Sequence, residues 1–147
     1  MAIVGLTREK NIRGRKRQVT VDTNGLVIRA LVCAADISDS ESGMWLLLNH
    51  DDAFPNMHTL RVDQGYKKQF AEWVTQQLGC KVEVCTKPSG QQGFVVQTKR
   101  WVVERTLAWL GRNRQLSKEY DHRPESTEAW IYLASIGLLL NRLHPSS

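Results

Sequence analysis

Paired cysteines are missing from this sequence. Cys33, Cys80 and Cys85 are its only three. Their number is odd and none stands in a CxxC pair, so neither a disulfide framework nor a structural zinc site is supported. Free, largely buried thiols in a reducing compartment are the expectation. Long apolar stretches are scarce as well: the opening MAIVGLTREK is too short on apolar residues for a signal peptide, and the longest run, WIYLASIGLLL at 130–140, falls short of a bilayer. A cytoplasmic protein without membrane contact is expected. The four histidines, His50, His58, His122 and His144, are scattered, so no histidine metal cluster or Cys/His catalytic pair is indicated. The loop around Ser89-Gly90 and Gly93 lacks the Lys-Ser/Thr of a phosphate-binding loop.

What is present is an ordinary globular composition, 41% hydrophobic and 24% charged over 147 residues, enough for one domain with a real core. The net charge of +5 is unevenly placed. Residues 1–20 carry Arg8, Lys10, Arg13, Arg15, Lys16 and Arg17 against Glu9 alone, and the rest of the chain is balanced. Such a cluster suits contact with a polyanion such as nucleic acid, and equally a solvated basic end.

Two β-branched runs flank Asn24-Gly25, a strong hairpin signal, and predict strands at 17–23 and 26–34. Cap residues at 38–42 precede a short helix at 41–50. A strand at 58–62 ends in Asp63-Gln64-Gly65-Tyr66, and a helix closed by Gly79 follows. CKVEVCT at 80–86 alternates as a strand, KPSGQQG is a loop, and helices are predicted at 99–113 and 125–143. This order points to an α/β fold, a mixed sheet with helices packed on it. Trp73, Trp101 and Trp109 read as core residues of their helices.

Two acids stand out. Asp63 lies where an apolar strand stops and a glycine-containing turn begins, the place where α/β proteins present functional side chains. Glu104 sits in RWVVER between apolar and cationic neighbours, with Arg100 one turn back on the same face, so a half-buried carboxylate is expected. Two carboxylates on separate rigid elements suit Mg²⁺. An Asp at a strand end is more often a helix cap or turn former, and Glu104 could simply pair with Arg100.

Three stretches, GRKRQVTVDTNGLVIRALVCAADISD, LRVDQGY and KRWVVERTLAWLGRNRQLSKEYD, together resemble the catalytic domain of small bacterial insertion-sequence transposases of the DDE superfamily. The similarity spans about residues 11–143. It implies a ribonuclease H-like fold, a single partial catalytic domain over 1–147 with a basic lead-in at 1–17 and the core at 17–143. It also implies DNA cleavage and strand transfer in transposition, with transposon ends and target DNA as partners at the nucleoid. By the resemblance Asp63 is the second catalytic aspartate, Glu104 the catalytic glutamate and Arg100 its supporting arginine. Two Mg²⁺ or Mn²⁺ ions would be held by Asp63, Glu104 and a first aspartate. Arg13, Arg15, Lys16 and Arg17, with Lys67, Lys68, Arg112 and Arg114, would hold DNA phosphates.

The sequence departs from the pattern in places. Gln97 and Gly111 stand where the family has a tyrosine and a basic residue. More seriously, residues 1–10 hold no Asp, so the first catalytic aspartate has no match, and Asp22, Asp36 and Asp39 sit in the wrong places to replace it. The first, central strand is therefore expected to be missing. Either an upstream polypeptide supplies it or residues 1–10, through AIVGL, substitute imperfectly. A chain inactive by itself follows, alongside the alternatives of a non-catalytic DNA-binding remnant and an interaction partner of an intact transposase, in either case with a homo-oligomer open.

Overall fold

A computed structural model describes residues 14–48, 55–66, 68–85, 100–118 and 120–145, and the backbone of residues 2–7; Arg100 is likewise described by its backbone. Five strands form one sheet: β1 (Ala2–Thr7), β2 (Arg15–Asp22), β3 (Val27–Ala34), β4 (Thr59–Asp63) and β5 (Lys81–Cys85). The helices are α1 (Asp39–Leu47), α2 (Lys68–Leu78), α3 (Arg100–Gly111) and α4 (Pro124–Leu143), with a 3₁₀ turn at Arg114–Leu116 between the last two. The strand order is β3-β2-β1-β4-β5. β1, β2 and β3 form an antiparallel meander, while β4 and β5 run parallel to β1.

One expectation is corrected. The central strand is present, formed by Ala2–Thr7, which joins the hairpin to the Asp63 strand. The apolar opening of the chain supplies it, the second of the two alternatives left by the sequence. A central strand hydrogen-bonded on both sides removes the two open edges that its absence would leave.

The Asn24-Gly25 turn forms where predicted. The Asp22 carboxylate accepts from the backbone of Asn24 (2.9 Å) and Leu26 (2.8 Å), closing the turn. Gly25 takes φ +82°, which a β-carbon would resist, and a β-carbon there would stand 2.7 Å from the Thr106 hydroxyl. The turn thus seats directly on α3. Ser38 caps α1 by accepting from the Glu41 amide at 3.1 Å, and Gly79 ends α2 at φ +64°.

Helices cover both faces of the sheet, making two cores. On one face Val19, Val21, Ala30 and Val32 pack against Val102, Val103 and Leu110 of α3 and Ile131 of α4. On the other, Leu60 and Val62 pack with Leu46 and Leu47 of α1 and Phe70 and Val74 of α2. Among the described residues no helix is long and apolar enough to cross a membrane.

Candidate active site

Asp63 closes β4. Because side chains alternate along a strand and Leu60 and Val62 enter the α1–α2 core, Asp63 lies on the opposite face, the one covered by α3 and α4. One carboxylate oxygen accepts from the Gln64 amide at 2.7 Å, and the Asp63 carbonyl accepts from Tyr66 at 3.1 Å, which fixes the tight turn. Gly65 suits that turn: a β-carbon would come within 2.5 Å of an Asp39 carboxylate oxygen, which would have to shift. Beyond the turn, Tyr66 is buried beside Phe70, with ring centroids 4.7 Å apart. Burial, reinforced by the charges of Asp39 and Asp63, pushes its phenol well above the ordinary 10. Its hydroxyl has no hydrogen-bond partner among the described residues.

Glu104 lies on α3, which packs against β1, the strand beside β4. The structure therefore places Asp63 and Glu104 on one side of the sheet, on a strand and on a helix that both adjoin β1. Glu104 is exposed, against the half-buried expectation. The cause is the setting of the helix: Val102, Val103, Thr106 and Leu110 form the buried stripe, and Thr106 donates to the Gly25 carbonyl at 2.7 Å. Of the tryptophans expected in the core, Trp73 packs against the α1–α2 core, whereas Trp101 and Trp109 sit outside that stripe. The Arg105 guanidinium stacks between them, 4.2 Å from the Trp101 ring centroid and 4.7 Å from that of Trp109, and Arg142 approaches Trp109 at 5.1 Å. Trp101 stays 41% exposed, so α3 owes its amphipathic character to Val and Leu rather than to its largest apolar residues. Arg100 is the first residue of α3, and its side chain lies outside the described residues, as do Arg13, Lys67 and Gln97.

The basic segment is built into the fold. Lys16 is buried beneath α1, where its ammonium meets Asp39 at 2.9 Å and the Ile37 carbonyl. Arg17 donates to the Leu116 carbonyl at 2.6 Å, and Arg15 to the carbonyls of Asp121 (3.0 Å) and His122. These three cations of GRKR clamp β2 to α1 and to the α3–α4 connection. Alternation along β2 sends Lys16 to one face and the two arginines to the other. Exposed cations lie elsewhere, among them Lys68 at the start of α2, and Arg112, Arg114 and Lys118 just beyond α3. Lys118 was not singled out from the sequence, and exposure in a folded connection is the signal that separates it from Lys16. Cys33, buried among Lys16, Ser42 and Asp39, has its thiol pushed up chiefly by burial. It has the character of an inert core thiol.

Among the described residues no three metal-ligating side chains converge. Asp22 is engaged in its turn and Asp39 by Lys16 on the far face, and AIVGLT of β1 contains no carboxylate. Among the described residues, Asp63 and Glu104 do not by themselves fit two divalent ions, each of which needs its own set of oxygen ligands.

Residues 5–140 match the family described as "Transposase DDE domain". The chain is 27% identical over 141 residues to a Burkholderia cepacia protein described as a transposase for insertion sequence element IS402, a match covering 88% of this chain and 64% of that protein's length. Among solved structures, the catalytic core domain of BIV integrase is similar with a TM-score of 0.57 at 15% identity, over 93% of this chain and 81% of that one. That likeness supports the ribonuclease H-like fold, with β1 at its centre and helices on both faces. With nearly its whole length matched, the chain belongs to the transposase DDE domain family.

Proposed function

We propose that the chain is the catalytic-type domain of an insertion-sequence transposase, folded for metal-dependent cleavage and joining of DNA but without a carboxylate on its central strand. The observation that carries the reading is the placement of Asp63 at the carboxyl end of β4 and Glu104 on α3, both beside the central strand, within a chain matched to the family from residue 5 to 140. In this reading Asp63 and Glu104 are metal ligands, Arg100 supports Glu104, and Mg²⁺ or Mn²⁺ is the cofactor. The chain spans 64% of the length of the relative it matches, so end recognition and assembly belong to the reading and not to the finding.

DNA would be held through phosphates, without sequence readout, by exposed cations: Arg112, Arg114 and Lys118 at the end of α3, with Lys68 across the molecule. Arg15, Lys16 and Arg17 contribute to that surface by fixing the elements that present it. The absence of a carboxylate from β1 favours a chain that binds DNA without cutting it.

The test is a salt-dependent DNA-binding titration paired with a cleavage assay in Mn²⁺. Binding that weakens steeply with salt, without strand cleavage, is expected. Cleavage by the purified chain, lost in Asp63→Asn, would show the site to be complete and the inactivity wrong. No DNA binding at low salt would remove the DNA-handling role itself.

A further inference from the structure

The parallel pairing of β1 with β4 sets Ala2 across from Leu60 and Ile3 across from Arg61. Continued two residues, the same register brings Gly5 across from Asp63, and both lie within their strands. The other neighbour gives the same answer for the face. Gly5 pairs with Val19 of β2, whose side chain enters the core under α3 and α4, and Asp63 lies on that face too. Residues directly opposite one another share a face of the sheet. Adjacent strands lie about 4.8 Å apart, so carboxylates at such a pair of positions can reach one cation.

We infer that Gly5 occupies the position from which a third carboxylate would share a divalent ion with Asp63, so that one substitution, Gly5→Asp, builds the ligand that the site lacks. The inference rests on the transposase reading only for Glu104. The juxtaposition of residues 5 and 63 stands on strand register. It turns a missing residue into a located one: β1 supplies the backbone of the site and not its chemistry. Neighbouring positions do not serve, because Leu6 pairs with Gln18, which faces α1 through its 2.6 Å bond to Ser42.

Mn²⁺ binding, followed by electron paramagnetic resonance, tests this without any activity measurement. Gly5→Asp is expected to bind Mn²⁺ about tenfold or more tighter than the wild-type chain, through the added ligand charge. The gain should vanish in Gly5→Asp/Asp63→Asn and be absent from Gly5→Ala and Leu6→Asp. A folded Gly5→Asp protein no tighter than Gly5→Ala, or a Leu6→Asp protein that matches it, would overturn the inference. Should Gly5→Asp fail to fold, a Gly5→Cys/Asp63→Cys pair in a Cys85→Ser background tests the same placement. Their expected separation lies within disulfide reach: cross-linking under mild oxidation supports the register, and its absence refutes it. A Gly5→Asp protein that gains Mn²⁺ but binds no DNA defeats the proposed function and leaves this inference standing. The reverse pattern does the opposite.

Discussion

The two faces of the sheet solve different problems. Under α3 and α4 the interior is mainly apolar, with Val19, Val21, Val32, Val102 and Ile131 in contact and its buried polar side chains being the small hydroxyl residues Thr106, Thr127 and Ser135, and both candidate carboxylates belong to that side. Under α1 and α2 the interior holds Phe70 and Leu60 but also Lys16, Gln18 and Ser42, all buried, with Tyr66 and Cys33 beside them. There Lys16 is neutralised by Asp39, because a buried charge without a partner would cost several kcal/mol, and the Gln18 amide donates to Ser42 at 2.6 Å while its carbonyl oxygen has no partner among the described residues. The difference teaches that charge in this protein divides by accessibility and not by sequence neighbourhood. Lys16 sits in the most basic segment of the chain and serves the fold, while Arg112 sits in a mixed one and faces solvent.

The sharpest way to break that comparison is to exchange the roles of the two cations. Lys16→Ala leaves Asp39 without its partner and should lower unfolding free energy by about 2–3 kcal/mol in chemical denaturation, less than for a fully enclosed pair because the Asp39 side chain keeps 28% exposure. Arg112→Ala should leave stability within about 0.5 kcal/mol of wild type and reduce the salt slope of DNA binding by about one. If Arg112→Ala destabilises while Lys16→Ala only weakens DNA binding, the division is wrong.

A smaller effect is expected on the apolar side. Thr106→Val keeps the shape but removes the donor to the Gly25 carbonyl, and should cost about 1–2 kcal/mol. The loss should appear as faster exchange of amide hydrogens around the Asn24-Gly25 turn.

The smallest effect has the opposite sign. The Tyr66 hydroxyl is buried without a partner among the described residues, so Tyr66→Phe should be neutral or stabilising by up to about 1 kcal/mol. Its raised phenol pKa also sets a pH dependence. A group whose folded pKa exceeds its unfolded one contributes stability fully below the unfolded value, here 10, and loses it as pH climbs further. Wild-type stability should therefore fall faster than that of Tyr66→Phe above pH 10, and equal slopes would refute the assignment.

Much of this was legible in the residues because the signals are local. The hairpin follows from Asn24-Gly25, α1 from the Ser38 cap, the end of α2 from Gly79, and the Asp63 turn from the glycine that follows it. Glu104 was found through the match of its flanking stretches, yet its exposure was misjudged. Helical periodicity counts Trp101 and Trp109 as apolar, whereas their rings stack on Arg105 at the surface. β1, the strand expected to be missing, is illegible in the sequence because six residues without a turn signal or a charge pattern read as strand only when β2 and β4 are there to pair with them.

The sequence by itself determined the hairpin and the order of helices and strands, since each rests on residue type and short spacing, and through its resemblance to a known family it pointed to that family and two candidate ligands. Tertiary structure alone decided that the opening residues form the central strand, that Lys16, Arg15 and Arg17 face inward to carboxylate and carbonyl partners, and that Ala2 and Ile3 pair with Leu60 and Arg61 of the Asp63 strand. Those outcomes depend on strand pairing and helix setting between segments up to about a hundred residues apart, and no local pattern encodes which partner a strand will choose.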